Sequence, residues 1–316
     1  MARGALRISF AVIVGAALAA LPIEPAGPMS GGVALLPYSP RYPHEAHGYE
    51  LVLQRSVRSE PARAWLTAAD TALLAPEPAT LPLVAAGELV PASPAVGYSF
   101  AIPTGRRMTV RVDRARADAG ELFVDLFQAV GSRYERIAGN LPRSELQPFS
   151  IDAIEGGHYV LRVQPALGAT AAYTVEVAAV PLLAFPVDGV DQRAIWSGFG
   201  AERDGGRRAH RGVDIFAARG TPVLAATDGW VTRVETTRVG GNVVWMQPLF
   251  GNMRVYYAHL DAQWVQPGDF VRAGQPLGAV GNTGNAVTTP PHLHFGVYVR
   301  QPGVRGGARD PKDFLH

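Results

Sequence analysis

The sequence has 316 residues, enough for two or three domains at roughly 100–200 residues each. Hydrophobic residues make up 47% and charged residues 18%, which excludes a wholly disordered chain; 35 glycines and 26 prolines favour turns and short strands over long helices. A formal net charge of +2 gives no basis for nucleic-acid binding, and the lack of cysteine excludes disulfides, thiolate metal sites, a cysteine nucleophile and an anchor on an N-terminal cysteine.

Along the chain, Arg3 and Arg7 precede an apolar run from Ile8 to Ala20, with Ala17-Leu18-Ala19 as a small-x-small cleavage site. This is the order of a secretory signal peptide, assigned to residues 1–22. The run is about 13 residues, short of the roughly 20 needed to span a bilayer. The body is therefore expected to be exported, periplasmic or extracellular, with no membrane span after signal cleavage. Residues 23–87 are rich in proline, alanine and glycine, with a helix-like patch at Pro61–Leu74 and a linker at Ala75–Leu83. His44 and His47 lie in this region with no third ligand near in sequence, and read as loop histidines.

From 88 to 182 the periodicity becomes strand-like. Tyr98–Ile102, Met108–Val112, Leu122–Phe127, Phe149–Ile151, His158–Val163 and Tyr173–Val177 alternate apolar and polar residues between glycine- or proline-bearing turns. An antiparallel β-sandwich is expected, with His158 a structural histidine. The YSFAIPTG start, the GGHYVLRV strand and the closing YTVEV strand resemble the bacterial pre-peptidase C-terminal domain family. That resemblance implies a jelly-roll-like accessory module without catalytic residues.

Four of the eight histidines fall between His210 and His294. His210-Arg211-Gly212-Val213-Asp214 is followed by Ile215 and Phe216, which favour an extended segment over a helix. In His292-Leu293-His294, i and i+2 project to the same side of a strand, so both imidazoles enter one space while Leu293 packs behind. His259 ends a third strand, Tyr256–Leu260. Two histidines and a carboxylate are a common ligand set for one catalytic zinc with a position left for water. The additional histidine of the His-x-His pair leaves one imidazole free to handle protons.

Residues Phe185–Tyr298 resemble the lysostaphin-type (LytM, peptidase family M23) zinc endopeptidases. The matching stretches are SGFG at 197–200, HRGVDI at 210–215, GTPVLAATDGWV at 220–231, YAHL at 257–260, the glycine-punctuated run Val265–Gly284 and HLHF at 292–295. The resemblance implies an antiparallel β-sheet peptidase domain over 183–303, followed by a tail at 304–316. It implies one Zn2+ on His210, Asp214 and His294, with His292 as catalytic base and His259 as its partner. The implied activity is hydrolysis of peptidoglycan cross-links or stem peptides; the alternative is a non-catalytic relative that binds peptidoglycan or activates a cell-wall amidase. Peptidoglycan is the expected partner, and no cell-wall or divisome partner is specified.

The sequence departs from the family pattern in two places. Gly296 stands where many members carry an acidic residue, and 204–209 holds no tyrosine to serve as an oxyanion donor. Arg207, Arg208 and Arg211 read as solvated charge. A biotinyl or lipoyl carrier is excluded, since the one lysine, Lys312, lies in the tail.

Overall fold

The computed structural model describes residues 59–114, 121–139, 146–203, 205–300 and 307–316. The segment 1–22, expected to be an export signal, and the histidines at 44 and 47 lie outside them. The chain divides into two compact units: Met1–Ile102, Met108–Ile151 and Gly157–Ala179 in the first, and Pro103–Arg107, Asp152–Gly156 and Val180–His316 in the second. Both are mainly antiparallel β. Among the described residues no helix is long and apolar enough to cross a membrane.

Among the described residues, the first element of the first unit is α1 (Glu60–Leu74). Pro61 falls in its first turn, where the missing N–H costs no hydrogen bond. Ala62, Trp65, Ala69 and Ala72 recur at helical spacing and form its buried face. The strands are β1 (Glu77–Pro78), β2 (Leu83–Leu89), β3 (Val96–Ile102), β4 (Arg106–Arg114), β5 (Leu122–Val130), β6 (Arg133–Gly139), β7 (Phe149–Ala153), β8 (Gly157–Pro165) and β9 (Ala171–Pro181). They form one sheet in the order β1-β3-β8-β5-β6 and another in the order β2-β9-β4-β7. Strands β2 to β9 are thus divided between two four-stranded sheets in the jelly-roll order, with β5 and β6 a hairpin within one sheet and the two-residue β1 added parallel to β3.

The first unit takes in segments that read as linker or N-terminal region. Residues 75–83 contain β1, and β2 pairs with β9 along its whole length, from Leu83↔Val177 to Leu89↔Ala171. The sequence LVAAGEL carries too little β-branched or aromatic content to announce a strand, and its partner supplies the backbone ladder.

The second unit is built on a sheet whose main path runs β10 (Ile195–Ser197), β13 (Val213–Phe216), β20 (His292–Val299), β17 (Met253–Gln263), β16 (Gly241–Pro248), β15 (Gly229–Thr237) and β18 (Phe270–Val271). β14 (Pro222–Leu224) pairs with β19 (Pro276–Val280), which also pairs with β17; β21 (Ala308–Arg309) extends β20, and β11 (Glu202–Arg203) pairs with β12 (Arg208–Ala209). One face of the three central strands carries Val213, Ile215, Val255, Tyr257, Leu293, Phe295 and Val297, all fully buried. The tail joins this core: Phe314 and Leu315 are buried in it, and the Leu183 N–H donates to the Phe314 carbonyl at 2.9 Å. Burying two large apolar side chains is worth roughly 3–6 kcal/mol, which is why these terminal residues are held.

Candidate metal centre

The opposite face of the same strands carries the polar cluster. β13 and β20 pair in a register that sets Asp214 opposite His294 and Phe216 opposite His292; β17 places Ala258 against His294 from the other side. The alternation of β20 works as its sequence demands, with Leu293 and Phe295 in the core and His292 and His294 on the other side. His210 comes from the loop before β13. Its N–H donates to the Ala201 carbonyl at 2.8 Å, and its own carbonyl accepts from the Gly200 N–H at 2.8 Å.

Three ligand atoms converge. His210 Nε2 lies 2.9 Å from His294 Nδ1, and Asp214 Oδ1 lies 3.0 Å from each. Donors around a tetrahedral zinc at about 2.0–2.1 Å stand roughly 3.3 Å apart, so this near-equilateral triangle fits one small divalent ion with little adjustment. The donor set fits as well. The Nδ1–H of His210 donates to the Gly198 carbonyl at 2.8 Å; since a carbonyl only accepts, this leaves the Nε2 lone pair facing the triangle. His210, Asp214 and His294 are thus a group able to hold a metal ion.

Arg203 secures the carboxylate from behind, donating to Asp214 Oδ2 at 2.8 Å and to Ser197 Oγ at 2.6 Å. Burial alone would raise the Asp214 carboxyl, but its close polar contacts with the His210 and His294 rings outweigh it and hold the group far below the carboxylate range. Burial lowers His294, against the pull of Asp214. Gly212 makes the convergence possible: a Cβ there would stand 2.4 Å from the Phe295 carbonyl and 2.9 Å from His294 Cε1 and Nε2.

His292 and His259 stand beside the triangle with ring centroids 5.1 Å apart, and His259 is 5.9 Å from His294. Both rings are tied through Nδ1–H, His292 to the Pro290 carbonyl and His259 to the Thr283 carbonyl, each at 2.9 Å. In the neutral form each therefore presents a bare Nε2. Burial, then the neighbouring His294 and His292, pull His259 down to about 4.

His259 reaches this face through a β-bulge. Strand alternation would send residue 259 into the core with Val255 and Tyr257. Instead, Asn242 pairs with Leu260 but Val244 with Tyr257, which leaves one extra residue on β17. His259 takes φ 63°, the one positive φ among described non-glycine residues, and Leu260 returns to the core. A left-handed non-glycine residue costs on the order of 1 kcal/mol or more. Hydrogen bonds hold it: His259 N–H to the Gly240 carbonyl at 2.8 Å, and Thr283 Oγ1–H to the Leu260 carbonyl at 2.9 Å.

All five histidine and aspartate residues singled out in the sequence meet here, although His210 and His294 are 84 positions apart. Sequence reasoning passed over Arg203, Phe216 and Trp196. Phe216 was visible only as a core-like neighbour of Asp214, whereas its ring stacks on His292 at 4.9 Å. Over Gly296 lies the Tyr298 ring, which a Cβ would meet at 2.9 Å, so an acidic side chain at 296 would displace it. The tyrosine ring against the ligand group is that of Tyr256, edge-on to His294 at 5.9 Å, its phenol pushed up to about 12 by burial, Tyr298 and Glu235. Arg207, Arg208 and Arg211 are exposed.

Fold and site define a β-sheet domain with a two-histidine, one-carboxylate group able to hold a metal ion and two further histidines at its edge. Residues 208–311 match the model of peptidase family M23. The chain is 40% identical over 101 residues to an L-Ala–D-Glu endopeptidase of Bacillus subtilis, a match covering 30% of this chain and 31% of that protein. It is 37% identical over 111 residues to the peptidoglycan DD-endopeptidase ShyC of Vibrio cholerae, covering 34% of this chain and 25% of that one. The crystallized catalytic domain of lysostaphin from Staphylococcus simulans is 37% identical, covering 37% of this chain and 87% of that domain, with a TM-score of 0.34. The chain thus spans about a third or less of the curated relatives it matches. The family-model match and the two endopeptidases support a peptidase of the M23 type, and the matched residues 208–311 lie in the second unit, outside the jelly roll.

Proposed function

We propose that this is an exported zinc metalloendopeptidase that hydrolyses peptide bonds of peptidoglycan, in its cross-links or stem peptides. The observation that carries the reading is the triangle of His210, Asp214 and His294 donor atoms, 2.9–3.0 Å on each side, flanked by two non-ligand histidines with bare Nε2 atoms. His210, Asp214 and His294 would hold the ion. A zinc ion in that group supplies a lowered pKa for an attacking water and polarisation of the scissile carbonyl.

The protein's own part is proton handling. As the water oxygen adds to the carbonyl carbon, His292 Nε2 takes the departing proton; when the C–N bond breaks, that proton passes to the leaving amine nitrogen. Stacking on Phe216 and the bond to Pro290 fix the His292 ring for this exchange. His259, held neutral by its lowered pKa, leaves proton uptake to His292 and offers its Nε2 to orient the water or the developing amine. The intact ligand set and both flanking histidines favour this reading over a non-catalytic binding protein or amidase activator.

The relatives named as cell-wall endopeptidases support peptidoglycan as the substrate, and the Arg3–Ala20 pattern supports export to the periplasm or beyond. The resemblance of residues 88–182 to pre-peptidase C-terminal domains supports an accessory role for the jelly roll. Digestion of purified sacculi with mass analysis of the released fragments tests the proposal. Peptide-bond cleavage lost on chelation and restored by zinc is expected; intact sacculi in the presence of a zinc-loaded protein refute it.

A further inference from the structure

Trp196 is the most exposed large hydrophobic residue described, at 72%, yet it belongs to the metal centre's own sheet. It sits on edge strand β10 at a break in register: Ile195 pairs with Ile215 and Ser197 with Asp214, so Trp196 is the extra residue of a bulge. Bulges re-aim side chains beside functional sites. Here the indole lies flat on Phe216, centroids 4.7 Å apart and planes within 14°, and Phe216 stacks in turn on His292 at 4.9 Å and 28°. The ladder fixes one face of the indole against protein. A large aromatic surface is thus braced in one orientation and left uncovered, two ring spacings from the flanking histidine.

We propose that Trp196 is the platform of a sugar subsite, on which the C–H face of a pyranose ring of the glycan stacks while the attached peptide passes Phe216 toward His292 and the ligand group. This rests on the reading of peptidoglycan as substrate. Area selects the sugar: small residues such as glycine or alanine offer at most a methyl group to an aromatic surface, whereas a pyranose presents a flat apolar face of similar extent. The ladder also acts as a ruler. The indole lies no more than about 10 Å from the His292 ring, the reach of roughly three extended residues. The bond cut therefore lies within about three residues of the sugar, at the glycan end of the stem peptide.

Two measurements on the full chain test this. Titration calorimetry with peptide-free glycan strands is expected to show binding that weakens about three- to tenfold in W196A and less in W196F, the range expected for loss of an aromatic stack. In cleavage assays, W196A is expected to raise KM for a sugar-bearing muropeptide by a similar factor more than for the same peptide without sugar. Equal glycan binding by W196A and wild type, or equal KM changes on both substrates, overturns the sugar subsite. Trp196-dependent glycan binding by a protein that cleaves neither substrate would instead keep the subsite and refute the endopeptidase reading.

Discussion

Gly212→Ala places one methyl group where the ligand set closes. Its Cβ would stand 2.4 Å from the Phe295 carbonyl and 2.9 Å from two atoms of the His294 ring, distances no carbon sustains. The carbonyl belongs to a strand paired on both sides and cannot yield, so β13 must move outward or the His294 ring must turn away. Overpacking of this kind costs about 1–3 kcal/mol, a Tm loss of roughly 3–10 °C for a domain of this size. The functional cost is larger, because a shift approaching 1 Å removes one of three donors from reach. Zinc affinity is expected to fall at least about 100-fold, equivalent to about 2.7 kcal/mol, with cleavage falling in parallel. Zinc titration by calorimetry, thermal melts with and without chelator, and sacculus digestion read the three effects. A G212A protein with wild-type zinc affinity and activity would show that close strand packing does not set the ligand positions.

Three further outcomes follow from the same geometry. H210A and D214A are expected to lose bound zinc, whereas H292A and H259A keep about one zinc per chain by elemental analysis while cleavage falls about 10²–10⁴-fold; zinc loss in all four would erase the division between ligand and proton-handling histidines. R203A leaves Asp214 Oδ2 without its 2.8 Å partner and is expected to weaken zinc binding about 10–100-fold, with R203K restoring part of it; unchanged affinity would reduce Arg203 to surface charge. His259 titrates near 6.5 unfolded and about 4 folded, so between those values the unfolded chain binds more protons. Its contribution is intact above pH 6.5 and is lost as pH falls toward 4, by about 3 kcal/mol in metal-free protein. Urea melts across that range should show H259Q losing correspondingly less stability than wild type, and parallel curves would disprove the shift.

The expectation of a mainly antiparallel β protein followed from turn-forming residues and short alternating runs, and six of the strands of the jelly roll were placed within a few residues of their ends. The strand at Leu83–Leu89 was not, because its alanines and glycine carry no alternation and its pairing with β9 is a long-range fact. β6 was not singled out either: RYERIAG is largely polar and stands at a sheet edge, where no core imposes a pattern. The closing segment read as a tail because Phe314 and Leu315 follow one another without a period, and only the core they enter explains them.

The amino-acid order by itself determined which donors were available and how neighbours share a face. With no cysteine, histidine and carboxylate had to serve, and His292 and His294 had to point the same way because a strand repeats every two residues. The tertiary structure decided what no local period encodes: His210 meeting His294 across 84 positions, Arg203 reaching Asp214, and the bulges that turn His259 and Trp196 out of strict alternation. Parity along a strand is a property of the backbone and travels with the sequence. Register, and the single extra residue that breaks it, exist only once a partner strand is paired, so the side of the sheet that His259 faces is settled by β16 and not by the residues around it.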